Sequence, residues 1–380
     1  MRITGDWLRA KGLQAILAAL GDAGYRAFLV GGCVRNALLD HPISDVDIAT
    51  DATPATVTEL MATAGMKVVP TGVDHGTVTV VSEGEGYEIT TFRKDVSTDG
   101  RRATVAYTSD IAEDAARRDF TMNALYADAE GNVIDPLGGL ADLSARLVRF
   151  VGDPDARIRE DYLRILRFFR FHAWFGDPDR GMDVDALAAC AEHARHVARL
   201  SRERIGHEMR RLLDAPDPGP AMAAMQATGV LSHVLAGADS AALGPLLHLE
   251  GAVPPYWLRR LAAIGGESPE KALRLTNAEA RHLRLLCDGL REGEPLPVLA
   301  YRHGAHMARD VALLRPALIG GALPDGWIAE IEKGATARFP VRAADLMPSY
   351  EGPALGTRLA ELERRWIASG FELSREQLLA

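Results

Sequence analysis

The chain predicts an α+β head built on a small mixed sheet, followed by an all-helical remainder, and three observations carry that prediction. Alternating segments rich in β-branched residues, at 77–81 and 87–92, read as strands. Segments with helical spacing separate the strand signals before residue 150. Beyond Asp153-Pro154 strand signals nearly vanish, and apolar positions recur with helical periodicity to the end. At 380 residues the chain exceeds one compact core, so several domains are expected.

In chain order, residues 13–20 form an amphipathic helix, and Arg26-Ala27-Phe28-Leu29-Val30 is a short buried strand ending in Gly31-Gly32. Residues 33–39 suit a helix, and 45–49 alternate as a strand. Pro54 opens a helix to residue 64, with Thr53 as its N-cap. The polar stretch 94–102 reads as a loop. In the helical remainder, breaks fall at 214–220, at Val253-Pro254-Pro255 and at 294–297, each rich in proline.

Composition narrows the class. Hydrophobic residues make up 47% and charged residues 25%, as in ordinary globular proteins. Acidic residues outnumber basic ones, 52 to 43, for a net charge of −9. That argues against a bulk electrostatic nucleic-acid binder but leaves room for a locally basic groove. Cys33, Cys190 and Cys287 are odd in number and far apart, which excludes a disulfide framework and a cysteine-based zinc site. No run of 18 apolar residues exists and the N-terminal segment lacks an apolar signal core, so a cytoplasmic protein without membrane contact is expected. The eleven histidines lack metal-ligand spacing, and His303 and His306 read as surface or core residues.

Four groups of residues carry chemistry. Gly31-Gly32-Cys33-Val34-Arg35 ends a strand and opens a helix, letting backbone N–H groups approach a phosphate, with Arg35 in the first turn. Asp45 and Asp47, two apart on a strand, project from one face. Like charges that close favour a hard cation such as Mg²⁺. Taken alone, Asp-x-Asp is an ordinary strand edge, and the Gly-Gly turn ahead of it favours the metal reading. Glu88 is a third carboxylate, on the face opposite Tyr87, Ile89 and Thr91; by itself it reads as a solvated strand residue.

Arg117-Arg118-Asp119-Phe120-Thr121-Met122-Asn123 concentrates hydrogen-bonding groups suited to a ribose triphosphate, the alternative being a helix C-terminus capped by arginines. The last group is the helix from Arg159 to Phe171. With Asp161 as origin and ~100° per residue, Tyr162, Ile165, Leu166 and Phe169 fall at about 40–140° and Arg164, Arg167 and Arg170 on the opposite face. Asp161 and Arg164, three apart, offer an acceptor and a donor. These match the exocyclic amine and ring nitrogen shared by cytosine and adenine, and reject guanine and uracil.

Together these residues resemble the class II tRNA nucleotidyltransferases of the polymerase-β superfamily, the bacterial CCA-adding type without a phosphohydrolase domain. The motifs that carry the resemblance are LVGGCVR with DVDIAT, TGVDHGTVTV, YEITTFRKD, RRDFTMNAL, DPLGGLADL, EDYLRILRFFRF and LSRERIGHEM, in order over residues 25–235.

The resemblance implies a catalytic nucleotidyltransferase head at 1–150, a base-recognising helical neck at 151–215, a helical body at 216–300 and a tRNA-binding tail at 301–380. It implies Mg²⁺ on Asp45 and Asp47, with Asp45, Asp47 and Glu88 catalytic. It implies nucleotide contacts from Gly32, Arg35, Arg118, Asp161, Arg164, Arg167 and Arg170, with Gly31, Asp119 and Asn123 as secondary candidates. The implied substrates are CTP, ATP and tRNA, with no protein partner, and the arginines Arg199, Arg202, Arg204, Arg210 and Arg211 would grip the tRNA backbone. Asn36 departs from the aspartate usual in the family, and no His-Asp dipeptide of a phosphohydrolase domain occurs.

Four other readings stand beside C-C-A addition. Poly(A) polymerases share the head but carry a basic segment where this chain has TGVDHGTV. Enzymes adding only the two cytidines lack the acidic and basic loop residues found here as Asp95, Asp99, Arg101 and Arg102, and A-only addition is the other partial reading. A non-catalytic RNA-binding scaffold is disfavoured by intact Asp45, Asp47 and Glu88, and a small-molecule adenylyltransferase by the long helical half.

Overall fold

The computed structural model describes residues 1–99 and 102–380, with side chains for these except Asp74 and residues 95–105. Asp95, Asp99, Arg101 and Arg102, singled out above, therefore lie outside the described side chains. The chain separates into two units, Met1–Ala236 and Gly237–Ala380.

The first unit opens with α1 (Lys11–Asp22), β1 (Ala27–Val30), α2 (Gly32–Leu38), β2 (Asp47–Thr50) and α3 (Pro54–Thr63). Thr53 caps α3, its hydroxyl accepting from the Thr56 N–H. Then come β3 (Lys67–Gly72), β4 (Thr77–Ser82), β5 (Glu85–Thr91), β6 (Arg93–Asp99) and β7 (Arg102–Tyr107). After α4 (Ile111–Ala116) and a 3-10 turn at Thr121–Asn123, short strands β8 (Tyr126–Ala127) and β9 (Val133–Ile134) lead to α5 (Gly139–Ser144).

Seven strands form one mixed sheet in the order β3-β4-β5-β2-β1-β8-β9. Only β2 and β5 pair in parallel, with Asp47 beside Glu88; the other neighbours are antiparallel. β3 was not anticipated; its proline, Pro70, is tolerated because the strand is an edge. β2 starts at Asp47, so Asp45 precedes the strand rather than lying within it. The segment read as a polar loop is a hairpin instead, β6 pairing antiparallel with β7 as a separate two-stranded sheet. Val96, Thr98, Thr104 and Val105 supply the β-branched residues that a judgement from polarity overlooked. Leu13, Ile16, Leu17 and Leu20 bury one face of α1, while Val30, Ala49, Phe92, Ala115, Ala124, Tyr126 and Val151 form a core cluster.

The helices α6 (Pro154–Glu160), α7 (Leu163–Phe175), α8 (Val184–His193), α9 (Arg202–Leu213), α10 (Gly219–Ala227) and α11 (Val230–Val234) complete the unit. The continuous helix expected from Arg159 to Phe171 does not exist. Asp161 has extended backbone, φ −154° and ψ 107°, and α7 begins two residues later. Phenylalanines join α7 to the sheet side: Phe120 packs at a tilt against Phe150 and Phe171, at centroid distances of 4.9 and 5.1 Å, and Phe168 lies 5.7 Å from Phe150.

The second unit is helical: α12 (Leu243–Glu250), α13 (Trp257–Ile264), α14 (Pro269–Ala272), α15 (Asn277–Glu292), α16 (Leu296–His303), α17 (Ala305–Ile319), α18 (Trp327–Thr336), α19 (Gly352–Ala368) and α20 (Arg375–Leu379). Of the proline-rich breaks, 253–255 lies between α12 and α13, while 214–220 and 294–297 run into the first turns of α10 and α16, where proline is tolerated. One core gathers Val341, Leu346, Leu362, Trp366 and Leu378. Elsewhere Arg259 and Arg260 are buried inside α13 and answered by Glu250 and Asp310.

Gly139 is where α5 meets the 3-10 turn bearing Asn123. A Cβ there would sit 2.3 Å from the Thr121 carbonyl oxygen, a backbone atom that cannot swing aside. Gly139→Ala is therefore expected to destabilise the first unit by about 1–3 kcal/mol, read from urea unfolding.

Candidate active site

A cavity of about 390 Å³ opens where β1, α2 and the approach to β2 meet the turn at 118–123 and α7. Its lining includes Gly31, Gly32, Arg35, Asp45, Asp47, Arg118, Asp119, Asn123, Arg167 and Arg170. The volume suits a nucleotide-sized ligand. Ten of the thirteen site residues marked in the sequence thus converge on one wall, from segments far apart in the chain.

Gly31 makes the turn possible. It lies at φ 71° and ψ −117°, a conformation strained for any L side chain, and its N–H is held by the Leu125 carbonyl at 3.0 Å. α2 starts immediately after it, and first-turn N–H groups have no partner within their own helix. Gly31, Gly32 and Cys33 all line the cavity, so the start of α2 borders it.

The carboxylates crowd. Asp47 and Glu88 are neighbours in the parallel β2–β5 pair, and Glu88 is exposed while Tyr87 and Ile89 are buried, so the alternation expected for β5 holds. Asp45 is exposed, its Oδ2 accepting from the Ser44 hydroxyl at 2.8 Å. Burial, then the charge of Glu88, push the Asp47 carboxyl up to about 6; Arg118 opposes them and Asp45 adds to them. These oxygens are hard donors that can hold a divalent metal ion.

The arginines are positioned one by one. Arg35 is buried against Phe175 and Phe171, 4.0 and 5.1 Å from their ring centres. It donates to Asn123 Oδ1 at 2.5 Å and through Nε and Nη2 to Asn36 Oδ1. Asn36 also donates to the Pro42 carbonyl at 2.8 Å, which a carboxylate could not do. Arg35 is thus held by amides, and burial lowers its pKa to about 10.

Arg118 instead has a carboxylate, bonding Asp114 Oδ2 at 2.9 Å and Tyr126 Oη at 3.0 Å. Arg167 grips Asp119 at 2.5–2.7 Å. Burial would raise the Asp119 carboxyl, but Arg167, Asn123 and the Phe120 N–H hold it down at about 2. Arg170 bonds Glu208 at 2.5 Å, with both groups buried.

Three marked residues stand apart from this lining. Glu88 is beside it through Asp47. Asp161 borders a separate cavity with Tyr162, Arg199, Ser201 and Arg204. Its Oδ1 accepts from the Leu163 N–H, starting α7, and its Oδ2 accepts from Arg204 at 2.6 Å. Arg164 donates to Glu160 and to the Arg157 carbonyl. The break at Asp161 removes the shared helical face on which an Asp161–Arg164 pair was expected.

Sequence reasoning missed Ser44, Ile43 and Phe171 in the lining, and it assigned Arg211 to the tRNA backbone, whereas Arg211 borders the cavity. No local signal marks these. They are ordinary residues brought in by packing.

Residues 27–149 match the poly A polymerase head domain, and 182–241 match the probable RNA and SrmB-binding site of polymerase A. The mitochondrial CCA tRNA nucleotidyltransferase 1 of Mus musculus is 32% identical over 98% of this chain and 90% of its own length. This chain belongs to the CCA tRNA nucleotidyltransferase family. The CCA-adding enzyme of Geobacillus stearothermophilus is 32% identical over 93% of this chain and 81% of its own. Among solved structures, the Bacillus stearothermophilus CCA-adding enzyme in complex with CTP superposes with a TM-score of 0.75 at 28% identity, covering 94% of this chain and 93% of that one. The Thermotoga maritima enzyme complexed with tRNA shares the fold, with a TM-score of 0.70 at 17% identity over 100% and 98% of the two chains.

The raised Asp47 pKa fixes a stability sign. The folded state holds this proton more tightly than the unfolded chain, so ionisation destabilises the fold as pH rises from about 4 through about 6. In chelator at pH 7, Asp47→Asn is expected to raise stability by about 1–3 kcal/mol, allowing for partial solvent screening. The gain should vanish below pH 4, and added divalent ion should stabilise the wild type only; thermal unfolding against pH checks both.

Proposed function

We propose that this chain adds C, C and A in turn to the 3′ end of tRNA, drawing on CTP and ATP and releasing pyrophosphate. The observation that carries this reading is one cavity lined both by the paired acids Asp45 and Asp47 and by Arg35, Arg118, Arg167 and Arg170. Membership in the family, over nearly the whole chain, supports the substrates.

In this proposal Asp45 and Asp47 hold Mg²⁺ and Glu88 supports the pair. The donors fit: all are carboxylate oxygens, and the burial and neighbouring charge that raise Asp47 are what a cation offsets. Bound there, the ion supplies positive charge to the attacking 3′ oxygen and the departing pyrophosphate. The remaining work falls to the chain itself. Arg35 and Arg118, with the N–H groups following Gly31 and Gly32, neutralise and orient the triphosphate. Asn123 fixes Arg35 and Asp119 fixes Arg167, so the donors are in place before the nucleotide enters. Arg170, held by Glu208, bounds the same cavity.

Asp161 and Arg164 remain the proposed readers of the base edge. For Asp161 to serve, a base must replace Arg204 as the partner of its Oδ2. The proposal keeps the head at 1–150, neck at 151–215, body at 216–300 and tail at 301–380, the last binding tRNA. It also keeps a cytoplasmic setting, to which the three free thiols are suited. Among the described residues, no helix is long and apolar enough to cross a membrane.

Incubation with a tRNA lacking its terminal triplet, Mg²⁺, CTP and ATP should lengthen it by three nucleotides on a sequencing gel. A shorter extension would indicate partial addition, a long tail poly(A) synthesis, and no extension a non-catalytic role. Asp45→Ala should lower incorporation by at least about a thousandfold while circular dichroism stays unchanged. Asp161→Ala should collapse the preference for CTP over UTP more than it slows the reaction; an intact preference would remove Asp161 from the role of reader.

A further inference from the structure

Polar atoms that the catalytic reading leaves unused lie in the second unit. Asp310, in α17, is fully buried. Its Oδ1 accepts from Arg259 Nη1 at 2.7 Å, but its Oδ2 has no hydrogen-bond partner among the described residues. A buried carboxylate oxygen left without a partner is costly and calls for a reason.

Two imidazoles face that oxygen. His306, one turn earlier on α17, brings Nδ1 to 3.3 Å, and His282, from α15, brings Nε2 to 3.8 Å. His282 Nε2 is itself buried without a hydrogen-bond partner among the described residues. The three donor atoms all lie within 4.8 Å of one another. Tetrahedral ligands at zinc bond lengths stand about 3.4 Å apart, so small side-chain adjustments suffice to enclose an ion. The Tyr256 ring packs edge-on against both imidazoles, at 5.5 and 5.0 Å. The Arg259 hydrogen bond steadies the carboxylate from behind, as supporting residues do around metal ligands.

We propose that His282, His306 and Asp310 form a binding site for a divalent transition-metal ion, zinc first, joining α15 to α17 and leaving further coordination to water. The donor set selects the class of ion. Two imidazole nitrogens and one carboxylate suit Zn²⁺ and its neighbours, whereas Mg²⁺ prefers oxygen. Charge points the same way: Arg259 and Arg260 already balance Glu250 and Asp310, so affinity must come from imidazole coordination. A second trio, Asp155, Glu192 and His193, differs in that His193 Nε2 is already bonded to Asp155 at 2.6 Å.

The test is equilibrium dialysis of the full chain against Zn²⁺ in excess Mg²⁺, which keeps the Asp45–Asp47 carboxylates occupied. The wild type should bind one equivalent, and thermal unfolding should shift upward with Zn²⁺. His306→Ala, at a half-exposed position where folding is not threatened, and His282→Ala should each weaken binding by at least about tenfold and erase the shift. Co²⁺ bound to the wild type should give the visible absorption of nitrogen–oxygen coordination, absent from both variants. Zn²⁺ binding that survives both substitutions, that is lost in His193→Ala instead, or that is absent from the wild type would overturn the assignment.

Discussion

Parallel pairing of β2 with β5 is the constraint on which the rest of the first unit turns. It sets Asp47 beside Glu88 on one face of the sheet, with Asp45 just ahead of the strand. Backbone hydrogen bonds hold these acids together, and burial, with the repulsion of Glu88 added to it, leaves Asp47 a carboxyl that resists ionisation. A site that is unfavourable when empty of cations is favourable for binding one, and stability surrendered here is recovered on binding.

The guanidinium groups around the cavity are held by a complementary device. Arg118, Arg167 and Arg170 each have a carboxylate behind them, in Asp114, Asp119 and Glu208. Such pairs add little net stability once desolvation is counted, but they fix where the charges point. Arg35 differs in kind. Its nearest partners are the amides of Asn36 and Asn123, which orient it without cancelling its charge. Of the four it is the one whose charge burial leaves least stabilised, and an incoming phosphate would benefit it most. An asparagine at position 36 is consistent with this arrangement, since it accepts from Arg35 and donates to Pro42 at once.

The helical half shows the same economy of charge. Arg259 and Arg260, in a helix whose sequence otherwise looks like core, are buried because Glu250 and Asp310 meet them from neighbouring helices. The pairing uses one oxygen of Asp310 and leaves the other to the two histidines.

The chain's local patterns were enough to mark the strands β4 and β5, the Gly31-Gly32 turn, the acids Asp45, Asp47 and Glu88, and the arginines of the head and of α7. Alternation and helical spacing are properties of neighbouring residues, and a motif carries its chemistry wherever it folds. Polarity misled at 94–102, where strand-forming residues pair across a turn. Periodicity misled at Asp161, where the residue bonds the next turn's N–H and Arg204 in preference to continuing a helix.

What only the tertiary structure decided is which charges meet. Asp119 and Arg167 are 48 residues apart, Arg170 and Glu208 are 38 apart, and the two histidines beside Asp310 come from different helices. Such pairings are chosen by the geometry of packing and by the penalty on unpaired buried charge, both of which exist only once distant segments have come together.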